Sequence, residues 1–125
     1  MALSQKRSLR KPTGGRYKRT KGKRKHELGM SPRLTHIGAK RLKTMRVAGG
    51  NEKLMLLSAE VVNVFDQKTK KAMVLKMKTV VENPANRHYV RKNVLTKGTI
   101  VDTEKGKVRI TNRPGQEGVV NGVFV

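Results

Sequence analysis

The residues able to do chemistry in this chain are its cations. Positions 1–25 hold eleven Lys or Arg, and the run RYKRTKGKRKHELG (16–29) brings the first carboxylate of the chain, Glu27. Ammonium and guanidinium groups neutralise phosphates and release condensed counterions, so affinity for a single strand falls with log salt at a slope of roughly 0.7 per phosphate contacted. Arginine adds a planar fork that grips a phosphate in two places and stacks on exposed bases. In this first stretch the candidate RNA contacts are Arg7, Arg10, Lys11, Arg16, Lys18, Arg19, Lys21, Lys23, Arg24 and Lys25. Further on they are Arg33, Lys40, Arg41, Arg46, Arg87, Arg91, Lys92 and Lys97. A run this one-sided repels itself and does not fold alone.

Catalytic chemistry finds no comparable set. His26, His36 and His88 are scattered, cysteine is absent, and the eight carboxylates stand mostly singly beside basic neighbours. No acid and base pair, thiolate nucleophile or metal-ligand spacing emerges. A phosphate-binding loop at Gly22-Lys23 fails because Tyr17 stands where that motif needs its first glycine and Arg24 where it needs Ser or Thr. Gly49-Gly50-Asn51 lacks dinucleotide-loop spacing. The chain is expected to be no enzyme, with no cofactor and no small-molecule substrate.

Thirty basic and eight acidic residues in 125 give a formal charge of +22, which points to a polyanionic partner. A membrane surface would call for apolar anchors or an amphipathic basic helix beside the charge, and no window approaches the roughly 18 apolar residues of a span. The N-terminus MALSQKRSLRKPTGG lacks a secretory apolar core, so a soluble protein inside the cell is expected. Tyr17, Tyr89, Phe65 and Phe124 are too few aromatics for a sheet that reads bases one by one. Phe65 and Phe124 sit in apolar runs and are assigned to the core, while Tyr89 among Arg87, His88, Arg91 and Lys92 either stacks on a base or packs. The target implied is structured RNA read through backbone and shape. A nucleoid-type DNA-binding protein and a transient RNA chaperone are the rival readings.

Those cations need elements to position them. Residues 1–53 carry 17 basic and 2 acidic residues, the remainder 13 and 6. The first part holds Gly14, Gly15, Gly22, Gly29, Gly38, Gly49 and Gly50 with few apolar residues, and reads as a basic arm, extended or disordered when free. Residues 54–125 read as a compact β-barrel-like domain. LMLLSAEVVNVF (54–65) predicts a strand and DQKTK (66–70) its turn. In AMVLKMKTVV (72–81) Leu75, Met77, Thr79 and Val81 alternate with Lys76, Lys78 and Val80, one dry face and one wet. NPANRHYVRKNV (83–94) predicts either a short helix capped by Asn83 or a strand. TIVDT (99–103), EKG and KVRIT (107–111) predict a hairpin, and VVNGVFV (119–125) a last strand docked in the core. Short strands at turn-punctuated spacing make the fold mainly β, a small barrel-like body with an extended, basic, glycine-containing N-terminal arm.

Several stretches also resemble one family: the small-subunit ribosomal proteins numbered eight, of the type found in archaea and eukaryotes. They are Lys11-Pro12-Thr13-Gly14-Gly15, Lys23-Arg24-Lys25-His26-Glu27-Leu28-Gly29, Thr35-His36-Ile37-Gly38, and Arg46 leading to Gly49-Gly50-Asn51 with Lys53. In the second half they are Val80-Val81, Asn83-Pro84-Ala85-Asn86, Val90-Arg91, Asn93, Thr96-Lys97-Gly98 and Pro114-Gly115-Gln116. The length resembles the short archaeal form. The resemblance implies a structural component of the cytoplasmic small subunit, with an arm penetrating ribosomal RNA, ribosomal RNA and neighbouring ribosomal proteins as partners, and no homo-oligomer. It implies that Arg16 to Lys25 lie among phosphates and that Glu27-Leu28-Gly29 marks a turn in the arm. Glu27 is expected to accept bonds from nearby backbone or an arginine.

Overall fold

The computed structural model describes residues 3–18 and 21–125. The chain forms two compact units that divide after Pro32. In the second unit the strands are β1 (Thr35–Ile37), β2 (Arg41–Arg46), β3 (Glu52–Ala59), β4 (Val61–Asp66), β5 (Lys71–Glu82), β6 (Val94–Leu95), β7 (Ile100–Thr103), β8 (Gly106–Ile110) and β9 (Asn121–Phe124), with a 3-10 turn (Ala48–Gly50) between β2 and β3 and an α-helix, α1 (Arg87–Arg91), between β5 and β6. A four-stranded sheet runs β2-β3-β1-β6, and a closed barrel runs β4-β5-β7-β8-β9.

Alternation builds the barrel. Val62 and Val64 are buried while Val61, Asn63 and Phe65 face out, and Val101, Val108 and Ile110 fill the interior from β7 and β8. The ring closes where β9 lies parallel to β4, pairing Asn63 with Asn121, Val64 with Gly122 and Phe65 with Val123. Gly122 lets β9 lie against β8 on its other side: a Cβ there would lie 2.5 Å from Val108 Cγ1 and 2.9 Å from the Arg109 carbonyl oxygen. The expected hairpin is present, with Gly106 at φ 136° opposite Thr103 and the Thr103 hydroxyl donating to the Gly106 carbonyl at 2.7 Å. The last strand is docked as expected.

Four expectations are corrected. The run 54–65 is not one strand: it breaks at Glu60, so that β3 belongs to the open sheet and β4 to the barrel. Both segments are apolar because each has a buried face, and composition does not register the change of sheet. On β5 the alternation slips, since pairing with β7 shifts between Met77 and Thr79. Leu75, Met77 and Val80 are buried while Thr79 and Val81 are exposed. A long strand wrapping a five-stranded barrel must bend, and such an irregularity lets it bend while keeping apolar side chains inward.

The helix cap is Asn86, whose side-chain oxygen accepts from the His88 amide at 2.9 Å. Asn83 is instead buried, donating to the Val94 carbonyl and accepting from the Ala85 amide and the Thr96 hydroxyl, each at 3.0 Å. Satisfying a buried amide in this way outweighs a surface cap. Finally, residues 33–53 are not arm. Thr35 is fully buried and its hydroxyl donates to the Leu56 carbonyl at 2.7 Å, and β2 pairs antiparallel with β3 from Leu42–Leu56 to Arg46–Glu52. These strands are held by pairing with β3 and β6, so their own composition does not reveal them.

The first unit is held together mostly by backbone. Leu3 to Gln5 runs beside Glu27 to Gly29, with the Gln5 amide donating to the Glu27 carbonyl and the Gly29 amide to the Leu3 carbonyl, both at 2.8 Å. A 3-10 turn over Lys25–Glu27, closed by the Leu28 amide on the Lys25 carbonyl, stands where the turn was expected, and Glu27 to Gly29 leaves it as a paired segment. A second antiparallel bridge joins Arg10 and Arg16 across a turn in which Gly14, at φ 84°, donates to the Lys11 carbonyl. A side chain at Gly14 would meet that left-handed conformation with strain.

Glu27, expected to accept from nearby backbone or an arginine, anchors this unit: it draws on the Arg24 backbone, and its side-chain partners are lysines. Lys6 Nζ stands 2.8 Å and Lys21 Nζ 3.5 Å from its carboxylate, with His26 Nε2 at 3.7 Å. The bond from Lys6, with Lys21 and the Arg24 amide adding to it, holds the carboxyl below its ordinary value of 4.5. A depressed folded pKa means that this stabilisation is present above 4.5 and is lost as pH falls through the lowered value. Acidification should therefore open the 3–5 and 27–29 pairing, and Glu27→Gln should open it at neutral pH. Hydrogen exchange at the Gln5 and Gly29 amides reads both, and unchanged protection would refute the anchor. In the barrel, Gly122→Ala should cost about 1–3 kcal/mol, measured by urea unfolding, because the methyl overpacks β9 against Val108 and Arg109 of β8.

Candidate nucleic-acid interface

The sequence-predicted contacts fall on three carriers. Arg7, Arg10, Lys11, Arg16, Lys18, Lys21, Lys23, Arg24 and Lys25 are all exposed in the first unit, and Arg19 lies outside the described residues. That unit carries eleven basic residues against Glu27 alone. Tyr17 is half-buried there, with the Arg7 guanidinium 4.0 Å and the Lys11 ammonium 5.4 Å from its ring centroid. The ring face holds two cations near one place without a carboxylate, which leaves their outward N–H groups for an anion.

The second carrier is α1 and the loop after β6. Arg87 and Arg91 are exposed four residues apart, on one side of the helix, with Lys92 at its C-cap. The lobe is rigid for its size. Asn83 ties the lead into the helix to β6, the Val80 amide donates to Asn93 Oδ1 at 3.1 Å, and a Cβ at Gly98 would touch the Pro84 ring at 3.3 Å. That packing sets exposed Lys97 beside the start of the helical segment. Tyr89 is half-buried and Tyr89 N donates to the Asn86 carbonyl. His36 Nδ1 donates to the Lys92 carbonyl at 3.0 Å, so this histidine ties β1 to the end of α1.

The third carrier is β2, an edge strand of the open sheet. Lys40, Arg41 and Arg46 are exposed on or just before it, whereas Arg33 is half-buried and points its Nη2 at Met45 Sδ, 3.8 Å away. Arg33 is thus the predicted contact least available to a phosphate.

Other exposed cations escape the sequence reading. Lys43 stands on β2, Lys68 and Lys70 on the tip between β4 and β5, Lys71 at the start of β5, and Lys107 and Arg109 on β8. The tip is ordered by Asp66, which accepts from the Lys68 amide at 2.9 Å and the Thr69 hydroxyl at 2.8 Å. Those bonds, Thr69 first, hold its carboxyl below the usual range. The turn is legible in the sequence, but its lysines look like ordinary surface charge until the fold shows them gathered at one end of a strand pair. In this second unit Lys76 pairs with Glu60 at 3.4 Å, while Arg87, Arg91, Lys92 and Lys97 have no carboxylate within ion-pair distance among the described residues. No cluster of His, Asp or Glu able to hold a metal occurs among the described residues.

Phe65 corrects the aromatic assignment. It is 46 % exposed on the outer wall of the barrel, while Phe124 packs against the core from β9. Strand parity decides this: Val62 and Val64 take the inward positions of β4, and Phe65 follows Val61 and Asn63 outward.

The family model described as ribosomal protein S8e matches residues 4–125. Small ribosomal subunit protein eS8 of Methanocella arvoryzae is 55% identical over 118 residues, covering 94% of each chain. The protein of the same name from Methanocorpusculum labreanum is 51% identical over 123 residues, 98% of each chain, and that of Methanobrevibacter smithii 49% over 125 residues, 100% of each. With a full-length match of this kind around a closed β-barrel and a cationic N-terminal unit, the chain belongs to the ribosomal protein S8e family.

Proposed function

We propose that this chain is a structural constituent of the small ribosomal subunit in the cytoplasm, where it binds ribosomal RNA and adjoins other ribosomal proteins. The observation that carries the reading is the arrangement of charge. Both units present exposed Lys and Arg with few carboxylates to neutralise them, at +10 for residues 1–32 and +12 for residues 33–125. Such a surface is complementary to a dense polyanion, which relieves its self-repulsion. The relatives named small ribosomal subunit protein support the same assignment.

Two modes of contact follow from the physics of the two units. Residues 1–32, braced by a few backbone bonds and Glu27, act as the arm that enters the RNA and gains order from the phosphates it meets. The barrel unit docks as a rigid body through Arg87, Arg91, Lys92 and Lys97 on one side and Lys40, Arg41 and Arg46 on β2. The reaction is binding alone, and no residue here acts as acid, base or nucleophile.

Sucrose-gradient sedimentation of a lysate at moderate and high salt, with and without ribonuclease, tests the assignment. The chain should travel with the small subunit through high salt and leave it after ribonuclease. Migration with DNA, or as free protein at moderate salt, would refute it. For the rigid contact, Arg87→Gln with Arg91→Gln should flatten the slope of log affinity against log salt by about 1–2 in filter binding to small-subunit RNA. An unchanged slope would remove α1 from the interface.

A further inference from the structure

We propose that Phe65 is a stacking platform for a single unpaired nucleobase of RNA, with Arg109 and the lysine tip after β4 gripping the flanking phosphates. The inference rests on the ribosomal RNA reading above and adds a second kind of contact to it, one that reads an exposed base instead of backbone alone.

Geometry carries the proposal. Phe65 pairs with Val123 on β9, and Val123 pairs with Arg109 on β8, so ring and guanidinium lie on one rung of the barrel wall, two strands apart. At roughly 4.8 Å per strand that is about 10 Å between Cα atoms, within the combined reach of a ring and an extended arginine. Two residues along each strand, still on the outer face, Asn63 Nδ2 donates to Asn121 Oδ1 at 3.2 Å. That bond uses Asn63 Nδ2 and Asn121 Oδ1, so the Oδ1 of exposed Asn63 and the Nδ2 of half-buried Asn121 are the acceptor and donor a base edge would use.

Charge completes the site. Lys68 and Lys70 are exposed on the tip that Phe65 leads into and Lys71 at the start of β5, and the nearby carboxylate, Asp66, is engaged with Lys68 N and Thr69 Oγ1 inside the turn. Arg109 and these three lysines have no carboxylate within ion-pair distance among the described residues. An apolar protein partner laid over this wall would strip water from unpaired cations, at a cost that phosphate would remove. A π-face flanked by phosphate-binding cations is instead the composition of a single-strand site, and a stack of this kind tolerates any base.

The chain contains no tryptophan, so Phe65→Trp in the full-length protein is a unique fluorescent reporter. Titration with a ten-nucleotide oligouridylate should quench its emission, and a fully paired RNA duplex should not. In parallel, Phe65→Ala should weaken oligouridylate binding roughly 5- to 100-fold in mobility shifts, with duplex affinity and the salt slope unchanged. The exposed position should let both variants fold, and circular dichroism checks that they do. If oligouridylate binds without quenching and Phe65→Ala binds it as tightly, the base site is refuted while RNA binding stands. Should neither oligouridylate nor small-subunit RNA bind the unaltered protein, both readings fall.

Discussion

The parallel contact between β4 and β9 is the seam on which the folded body depends. It joins residues nearly 60 positions apart and turns a strip of antiparallel strands into a ring without free edges. Closure buries Val62, Val64, Leu75, Met77, Val80, Val101, Val108 and Ile110 in a single interior. Gly122 lies on this seam and carries no side chain because its other neighbour, β8, fills the space a Cβ would need with the Val108 side chain and the Arg109 backbone. A long-range parallel pair is costly to form in chain entropy, and the apolar interior it encloses is what offsets that cost.

The same closure organises the surface. Once Val62 and Val64 are committed to the inside, Asn63 and Phe65 have to face water, and β9 and β8 place Val123 and Arg109 on the same rung. Outward residues of the seam thus become a patch with an aromatic ring, an amide pair and a cation. The tip after β4 adds lysines to one end of it, ordered by Asp66. Packing inside and recognition outside are two faces of one alternation.

Charge repulsion is the opposing constraint. A chain at +22 gains little from bringing cations together unless something intervenes, and the two units solve this differently. In the barrel unit the strands space the cations over a rigid frame built by apolar packing. In residues 1–32 there is almost no apolar frame, and one carboxylate, Glu27, gathers Lys6, Lys21 and His26 while short backbone bridges hold the loops. The first unit therefore has less holding it than the second and gives more scope to a polyanion to shape it.

Much of this was determined by the sequence itself. Net charge and missing catalytic groups implied a polyanion partner, glycine at position 106 between two β-rich runs marked the hairpin, and alternation exposed the existence of β5. These are local signals, written in composition or in a period of two. Tertiary structure alone decided that Thr35 and the polar strand β2 belong to a sheet, that one apolar run is shared between two sheets at Glu60, that β5 slips register beyond Met77, that Asn83 serves the interior while Asn86 caps, and that Phe65 faces out. Asn83 is drawn inside by Val94 and Thr96, which leaves the local cap on the His88 amide to Asn86. The other four share one physical reason: a strand far away in the chain fixes which face is dry, and no local window contains that strand.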